Sequence, residues 1–171
     1  MAILTIKTYP DPVLTRPSKE ISSPSRTLVA LAESMAETMY HAENGVGLAA
    51  PQVGKNVRLV VVDSDPENNR GTPLFLFNPH LVELNGQEVK DEGCLSLPGY
   101  YAPVSRATSV VVEAMDREGR PIRLPAQGLL ARCLQHEIDH LDGRLVLDYV
   151  SPLKRALYRK RAKKEQKKAG S

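Results

Sequence analysis

The sequence contains no tryptophan, only two phenylalanines and only two cysteines among its 171 residues. A secreted domain of this size that is stapled by disulfides usually carries more cysteines, so the composition disfavours that class of protein. Cys94 and Cys133 are therefore expected to be free thiols or metal ligands. On composition alone they could equally be buried thiols that act as small hydrophobic side chains.

Long hydrophobic runs are also missing. The N-terminal stretch MAILTIKTYP is interrupted by Lys7 and closed by Pro10, which is not the pattern of a signal peptide. No run approaches the about 20 apolar residues that a membrane-spanning helix needs. Apolar residues make up 42% and charged residues 25% of the chain, as in ordinary globular proteins. We expect a cytoplasmic protein with one compact catalytic domain, residues 1–151, followed by a tail, residues 152–171.

This tail is the only strongly basic part of the chain. It contains nine Lys or Arg and one Glu, so it carries +8 and the preceding body about −5. Ser151 as a cap and Pro152 at the first helical position predict an exposed helix that frays near Ala169 and Gly170. Such a helix is either a solvated surface or an electrostatic footprint for nucleic acid.

Helical periodicity predicts two further helices. The first lies in SSPSRTLVALAESMAETMYHAENG, with Ser23 as N-cap, Pro24 at the first position and Gly45 just beyond the end. The second covers residues 126–141. Apolar residues at helical spacing should face the core in both. In the first helix these are Leu28, Leu31, Met35 and Met39, and in the second Leu130, Leu134, Ile138 and Leu141.

Between these helices lie short β-branched segments: VRLVVVD, LFLFNP, HLVELNG, TSVVVEAMD and, after the turn DREGR, RPIRLP. They follow one another without helices between them, which favours antiparallel pairing. We therefore predict an α+β fold, in which short antiparallel strands pack around a central metal-binding helix. An N-terminal helix and an exposed C-terminal helix complete this architecture.

The metal-binding prediction comes from QHEIDH, which contains an HExxH pattern. His136 and His140 are four residues apart, so they lie on one face of a helix and can reach one ion, with Glu137 beside them as a base. Leu129 and Cys133 continue the same stripe. The alternative is a polar helix face on which these residues coincide by chance.

A catalytic metal site needs a third protein ligand and an open position. Downstream of His140, spacing alone leaves Asp142, Asp148 and Glu165 as candidates, although Glu165 lies in the basic tail. The better candidate is Cys94 in EGCLSLPGY, because a thiolate is a strong ligand for borderline-soft divalent ions. Gly93, which precedes Cys94, has no side chain and would therefore allow the backbone to approach closely at this point.

Three stretches together resemble the signature motifs of the peptide deformylase family, in the same order. They are GVGLAAPQ at residues 45–52, EGCLS at residues 92–96 and HEIDH at residues 136–140. The stretch DYVSPLK before the tail resembles bacterial members with a C-terminal helix. The resemblance implies an α+β fold, one metal ion bound by Cys94, His136 and His140, and removal of the formyl group from the N-terminal methionine of new polypeptides.

The resemblance also implies catalytic roles. Glu137 would be the general base, and the formyl oxygen would be stabilised by the Gln52 side-chain amide and the backbone N–H of Leu95. Taken alone, Gln52 would be read as a loop glutamine bonded to its own backbone. The family commonly uses ferrous iron and tolerates nickel, cobalt or zinc, so we expect one divalent ion, Fe²⁺ first among these.

The substrate would add as a strand beside Gly45, Val46 and Gly47, where side chains would block a close approach. Leu129 and Cys133 would line the pocket for its methionine, with Val46 opposite. Ordinary core packing is an equally good explanation of Leu129 and Val46.

The chain departs from the family pattern in two places. Arg132 stands where many relatives have an apolar residue near the methionine pocket, which puts the depth of that pocket in doubt unless its charge points outward. Tyr100 and Tyr101 stand where relatives have a basic residue, so neither is assigned a role.

The expected partners are N-formyl-methionyl nascent peptides and, through the basic tail, the ribosome near the exit site; no membrane is expected. Deleting the chain from Pro152 onward should weaken ribosome binding and leave activity on short peptides intact. Two other hypotheses stay open at this point. One is a metalloprotease that cuts internal bonds, and the other is an RNA- or ribosome-binding module with an incidental metal site.

Overall fold

The computed structural model describes residues 2–169. These residues form two antiparallel sheets and three α-helices. The helices are α1 (Arg26–His41), α2 (Gly128–Leu141) and α3 (Pro152–Ala169). A five-stranded sheet has the order β1-β2-β3-β6-β7, and β4 pairs only with β5. The strands are β1 (Gly47–Ala49), β2 (Leu59–Asp63), β3 (Pro73–Asn85), β4 (Glu88–Cys94), β5 (Leu97–Arg106), β6 (Ser109–Met115) and β7 (Pro121–Gln127). The predicted α+β fold is confirmed.

Strand β2 is the centre of the core, because all five of its residues are buried. Side chains alternate between the two faces of a strand. Val60 and Val62 pack in one hydrophobic cluster with the apolar stripe of α2. Leu59 and Val61 pack in a second cluster with α1, including Met35 and Met39. The sheet therefore lies between the two helices, and β1, which pairs with β2, is carried into the space beside α2.

Helix α2 follows β7 with no connecting loop. Gly128 makes this possible, because it has a φ of +63°, a conformation that residues with a side chain rarely adopt. Its N–H donates to the carbonyl of Thr108. The predicted start of the helix at residue 126 was wrong for this reason: Ala126 and Gln127 still pair with β6.

Other element boundaries also differ from the predicted ones. Helix α1 begins two residues later than predicted, and its N-cap is Ser25, whose Oγ accepts from the N–H of Leu28. The segments LFLFNP and HLVELNG form one strand, β3. Asn78 has a positive φ in the middle of this strand, where the pairing register with β6 shifts. Strands β1, β4 and β5 were not predicted.

Helix α3 is mostly exposed, as predicted, but one face is packed. Tyr158 and Ala162 are buried in a third cluster with Leu97, Val104 and Leu147. The Tyr158 ring lies 4.8 Å from the ring of Tyr100, between centroids. Deletion of the tail would therefore expose this cluster. The described part of α3 extends to residue 169, so the expected fraying at Gly170 lies outside the described residues.

None of the helices in the described part of the chain has both the length and the apolar character that a bilayer crossing requires.

Replacing Tyr158 with Ala should lower the free energy of unfolding by about 3 kcal/mol, because a buried aromatic ring is lost and a cavity remains. The matched control is Leu157→Ala, since Leu157 is 60% exposed on the same helix. The control should change stability by less than about 0.5 kcal/mol. Urea denaturation of both variants measures this difference, and equal losses would contradict the packing of α3 on the body.

Candidate metal centre

Three potential metal ligands converge where β4 ends against α2. The Sγ of Cys94 lies 3.3 Å from Nε2 of His140, which in turn lies 3.2 Å from Nε2 of His136. All three atoms lie within 4.8 Å of one another, and no other such group of His, Cys, Asp or Glu occurs in residues 2–169. The structure thus brings together the three ligands predicted from EGCLS and HEIDH.

These atoms suit a single divalent ion. Two imidazole nitrogens bound tetrahedrally at about 2.0–2.1 Å are themselves about 3.3 Å apart. Burial by itself lowers the pKa of both imidazoles. Hydrogen bonding and the charges of Cys94, Glu137 and Glu92 nevertheless raise the pKa of His136 well above its usual range, whereas the charge of His136 lowers that of His140 further. The surroundings therefore shift the two imidazole pKa values in opposite directions, although the two Nε2 atoms face each other at 3.2 Å.

Glu92 orients one of these ligands. Its Oε2 accepts from Nδ1 of His136 at 2.9 Å, which leaves Nε2 of that ring facing Cys94 and His140. A carboxylate on the second nitrogen of a ligating histidine fixes the ring and raises its basicity. Burial opposes ionisation of Glu92, but hydrogen bonds from Arg106 and His136 hold its pKa well below the usual range.

Two arginines complete this arrangement. Arg106 donates to both carboxylate oxygens of Glu92, at 2.8 and 2.9 Å, and to Asp139 at 2.6 Å. Arg132 donates to Glu92 at 2.8 Å and to the backbone carbonyls of Val104 and Glu88 at 3.1 and 2.8 Å. The charge of Arg132 is therefore compensated in β4 and β5, although the residue also lines the cavity beside Cys94 and His136.

Glu137 is buried next to these ligands, and its Oε1 has no hydrogen-bond partner among the described residues. Burial raises the pKa of Glu137 to about 7, with the charges of Glu92 and Asp139 acting in the same direction. A carboxyl group that titrates near neutrality can both take up and return a proton. The position suits the general base predicted from HEIDH.

Gln52 is held in a fixed orientation in a short 3₁₀ helix, Ala50–Val53. Its Oε1 accepts from the N–H of Ala49 at 3.0 Å, so its amide nitrogen points the other way. This nitrogen lies 3.6 Å from Sγ of Cys94 and 3.3 Å from Oγ of Ser96. The local backbone bond expected of an ordinary loop glutamine is present, but it orients the amide nitrogen toward Cys94 and Ser96.

A cavity of about 420 Å³ opens over this centre. It is lined by Cys94 and His136 of the three convergent residues, by Glu137 and Gln52, and by the residues of the predicted substrate site. That site comprises Gly45, Val46, Gly47, Leu129 and Cys133, and Leu95, which was predicted to donate through its backbone N–H, lines the cavity as well. Leu129 is 38% exposed, and Cys133 is buried with its thiol 3.4 Å from the carbonyl of Val46. Sequence reasoning therefore grouped residues that do share one cavity.

The two glycines of GVGLAAPQ are required by the packing of the chain itself. A Cβ on Gly45 would lie 2.1 Å from the carbonyl oxygen of Met39. A Cβ on Gly47 would lie 2.5 Å from Sγ of Cys133 and 2.7 Å from Oε2 of Glu137. The sequence suggested substrate approach as the reason for both glycines, whereas the structure supplies an internal one. Gly47 lets β1 lie directly against the face of α2 that carries Cys133 and Glu137.

The other candidate ligands lie outside the three-residue centre. Asp142 pairs with Arg58 at 2.8 Å, and Asp148 accepts from the N–H of Leu145 at 2.8 Å. Glu165 lies on α3. These positions remove the ambiguity that spacing left after His140.

No pattern in the sequence singled out Arg106 or Asp139, and Glu92 appeared only as the first residue of the EGCLS motif. The role of Glu92 could have been inferred from chemistry, because a ligating histidine usually donates its second ring N–H to a carboxylate, a backbone carbonyl or water. Glu92 stands two residues before Cys94, which made it a candidate for that carboxylate. Arg106 had no comparable local signal.

The chain is similar to known proteins in both sequence and structure. A family model described as polypeptide deformylase matches residues 3–156. Peptide deformylase from Thermodesulfovibrio yellowstonii is 51% identical over 163 residues, which cover 95% of this chain and 98% of that protein. Peptide deformylase 2 from Vibrio vulnificus is 50% identical over 167 residues, covering 98% of each.

Solved structures are similar over the same extent. A peptide deformylase from Legionella pneumophila superposes with a TM-score of 0.86 at 42% identity, covering 99% of this chain and 98% of that one. Peptide deformylase from Ehrlichia chaffeensis in complex with actinonin gives a TM-score of 0.88 at 39% identity, covering 96% and 98%.

Replacing Cys94 with Ser should abolish stable metal binding. Loss of a ligand's hydrogen-bond partner weakens metal affinity by about 10–100-fold, and loss of the ligand itself should cost more. The matched control is Cys133→Ser, because Ser can still donate to Val46 and residue 133 is not among the three convergent ligands. Metal content per chain, measured by mass spectrometry after anaerobic purification, separates the two. Full occupancy in Cys94→Ser would contradict the ligand assignment.

Proposed function

The chain belongs to the polypeptide deformylase family, and from this premise we propose that Cys94, His136 and His140 hold the catalytic metal ion while Glu137 moves the proton. As a member it is a metal-dependent hydrolase that removes the formyl group from the N-terminal formyl-methionine of newly synthesised polypeptides. The first of the three sequence-based hypotheses is thereby confirmed. The observation that carries the residue assignment is the convergence of three ligand atoms beside a buried carboxylate oxygen without a partner.

The proposed metal is ferrous iron, with nickel, cobalt or zinc as alternatives. One thiolate and two imidazoles form a donor set that all four ions accept, so cellular supply decides which is bound. When bound, the ion supplies Lewis-acid chemistry: it polarises the formyl carbonyl and makes a water molecule more acidic. Release of formate by anaerobically prepared protein loaded with each ion in turn ranks the candidates.

Glu137 is proposed to accept the proton of the attacking water at Oε1 and to deliver it to the departing amine. Burial favours this exchange, because a desolvated carboxylate gains by taking up a proton. Its position against Gly47 restricts the side chain on the side of β1. The reaction gives formate and a free α-amino group.

Gln52 and Leu95 are proposed to donate hydrogen bonds to the formyl oxygen as negative charge develops there. The amide nitrogen of Gln52 is oriented by the bond between its own Oε1 and Ala49, so no reorganisation is needed during the reaction. One well-placed donor of this kind lowers the activation free energy by about 3–4 kcal/mol.

The substrate is proposed to lie along β1, beside Gly45, Val46 and Gly47, as an added strand. Its methionine side chain would enter the part of the cavity lined by Leu129 and Cys133. Nascent polypeptides are made in the cytoplasm, and we propose that the enzyme acts there.

Replacing Glu137 with Gln should lower kcat/KM for a formyl-methionyl dipeptide by about 10²–10⁴-fold, the usual contribution of a positioned acid–base group. The amide has the same shape, so metal content and melting temperature should stay at or near wild-type values. Formate release under anaerobic conditions is the measurement. A variant that keeps its metal and retains wild-type kcat/KM would contradict the role of Glu137.

The basic tail, residues 152–171, is proposed to bind the ribosome near the exit site, which would hold the enzyme beside its substrate. Support comes from its nine basic residues and from the exposure of most of α3. Because Tyr158 and Ala162 are buried, deletion of the tail would also destabilise the body. Charge reversal at exposed positions is therefore the better test.

The triple variant Lys160→Glu, Lys164→Glu and Lys167→Glu should weaken ribosome binding at low salt. A plot of the logarithm of the ribosome-binding constant against the logarithm of the salt concentration should also have a shallower slope. The slope should change by about 0.7–0.9 for each ribosomal phosphate that the variant no longer neutralises.

The control triple variant carries the same charge change on the body, at Arg16, Lys19 and Lys55, which are all exposed. Sedimentation with purified ribosomes gives the affinities. Equal ribosome affinity of the two triple variants would contradict the proposal.

A further inference from the structure

A second concave surface lies between β5 and α3, with a volume of about 610 Å³. We call it the β5–α3 groove. Its walls are aromatic and basic. They include Tyr100, Tyr101, Tyr149, Tyr158, Lys154 and Arg161. Neither the proposed catalytic residues nor the predicted methionine pocket accounts for this surface.

The groove adjoins the cavity over the metal centre, because Tyr100 and Tyr101 line both. Tyr101 is 71% exposed. Its ring lies so close to Gly93 that a Cβ there would be 2.4 Å from a ring carbon. Since Gly93 immediately precedes Cys94, the aromatic wall of the groove begins next to a proposed metal ligand.

The charge of the surface changes sign along this path. Glu43 and Asp91 are exposed and line the cavity over the metal centre. Lys154 and Arg161 are exposed in the groove, and none of the ion pairs found in residues 2–169 involves either of them. Arg161 stacks over the ring of Tyr158 at 5.2 Å, an arrangement that leaves its N–H groups available at the edge.

A deformylase acts on one end of a long chain, so the rest of its substrate must leave the cavity across the protein surface. An extended peptide advances about 3.3 Å per residue, and a few residues beyond the methionine carry it past the cavity rim. Tyrosine rings offer large contact areas to such a peptide at a low cost in side-chain entropy.

We propose that the β5–α3 groove receives the segment of the formylated polypeptide that follows the residues bound at the metal centre, and that it favours acidic side chains in this segment. The proposal rests on the proposed function of the metal centre. It assigns Lys154 and Arg161 to substrate selection.

The test compares two formyl-methionyl peptides of about ten residues, which differ only in a distal pair of residues, Asp-Asp or Lys-Lys. Wild-type protein should show a kcat/KM about two- to fivefold higher for the Asp-Asp peptide, the range expected from exposed ion pairs. The difference should lie mainly in KM and should shrink as salt is added. Moving the Asp-Asp pair to directly after methionine should remove the preference, because Glu43 and Asp91 lie there.

Lys154→Glu should abolish or reverse the ratio of the two kcat/KM values, and Arg161→Glu should do the same. The matched control is Lys163→Glu, which makes the same charge change on an exposed position of α3 outside the groove and should keep the wild-type ratio. Because each variant is judged by the ratio of its own kcat/KM values for the two peptides, a general loss of activity does not affect the comparison.

A wild-type ratio near one, or equal ratios in Lys154→Glu and Lys163→Glu, would overturn the proposal. If Lys154→Glu weakened ribosome binding and left the ratio unchanged, the groove would be a contact for ribosomal phosphates, and the proposal would again be wrong. Failure of the proposed function itself is a separate result, because the wild-type protein would then release no formate from a formyl-methionyl dipeptide.

Discussion

The buried carboxylate of Glu92 accepts hydrogen bonds from three side chains at once, and the geometry of the candidate metal centre depends on this convergence. Arg106 binds both of its oxygens, Arg132 binds one, and His136 binds the other. Glu92 lies on β4, Arg106 on β5, and the other two residues on α2. One side chain therefore connects the two-stranded sheet, which carries Cys94, to the helix that carries both histidines.

Such an ion pair contributes little net stability, because the desolvation of both charges offsets most of their attraction. Its main effect is to hold α2 in a fixed position relative to β4 and β5. Removing one partner would leave a buried charge uncompensated, at a cost of about 3–5 kcal/mol. Arg106 extends the connection to Asp139, which also accepts from the hydroxyl of Tyr149 at 2.6 Å. The histidine helix is thus held from β4, from β5 and from the segment that leads into α3.

The convergence of Cys94, His136 and His140 could be predicted from the sequence, because four-residue spacing on a helix is a local property and the EGCLS motif pointed to Cys94. The connections among Glu92, Arg106 and Arg132 could not be predicted in the same way. They depend on how β4 pairs with β5 and how both meet α2, which no local pattern records. Asn78 shows the same limit at the level of strands. An Asn-Pro pair normally indicates a turn, but here it accompanies an irregularity inside one continuous strand.

The junction of β7 and α2 has a consequence for how this protein can vary. Because Gly128 turns the chain from strand to helix without a loop, the angular position of every residue on α2 is set by the pairing of β7 with β6. One inserted residue at this junction would rotate the helix by about 100°, and would carry both imidazoles away from the thiolate of Cys94. Apart from Gly128, whose positive φ disfavours any side chain, substitutions in this segment would alter single contacts, whereas insertions and deletions would dismantle the whole centre. The length of the connection is thus a stricter requirement than its composition.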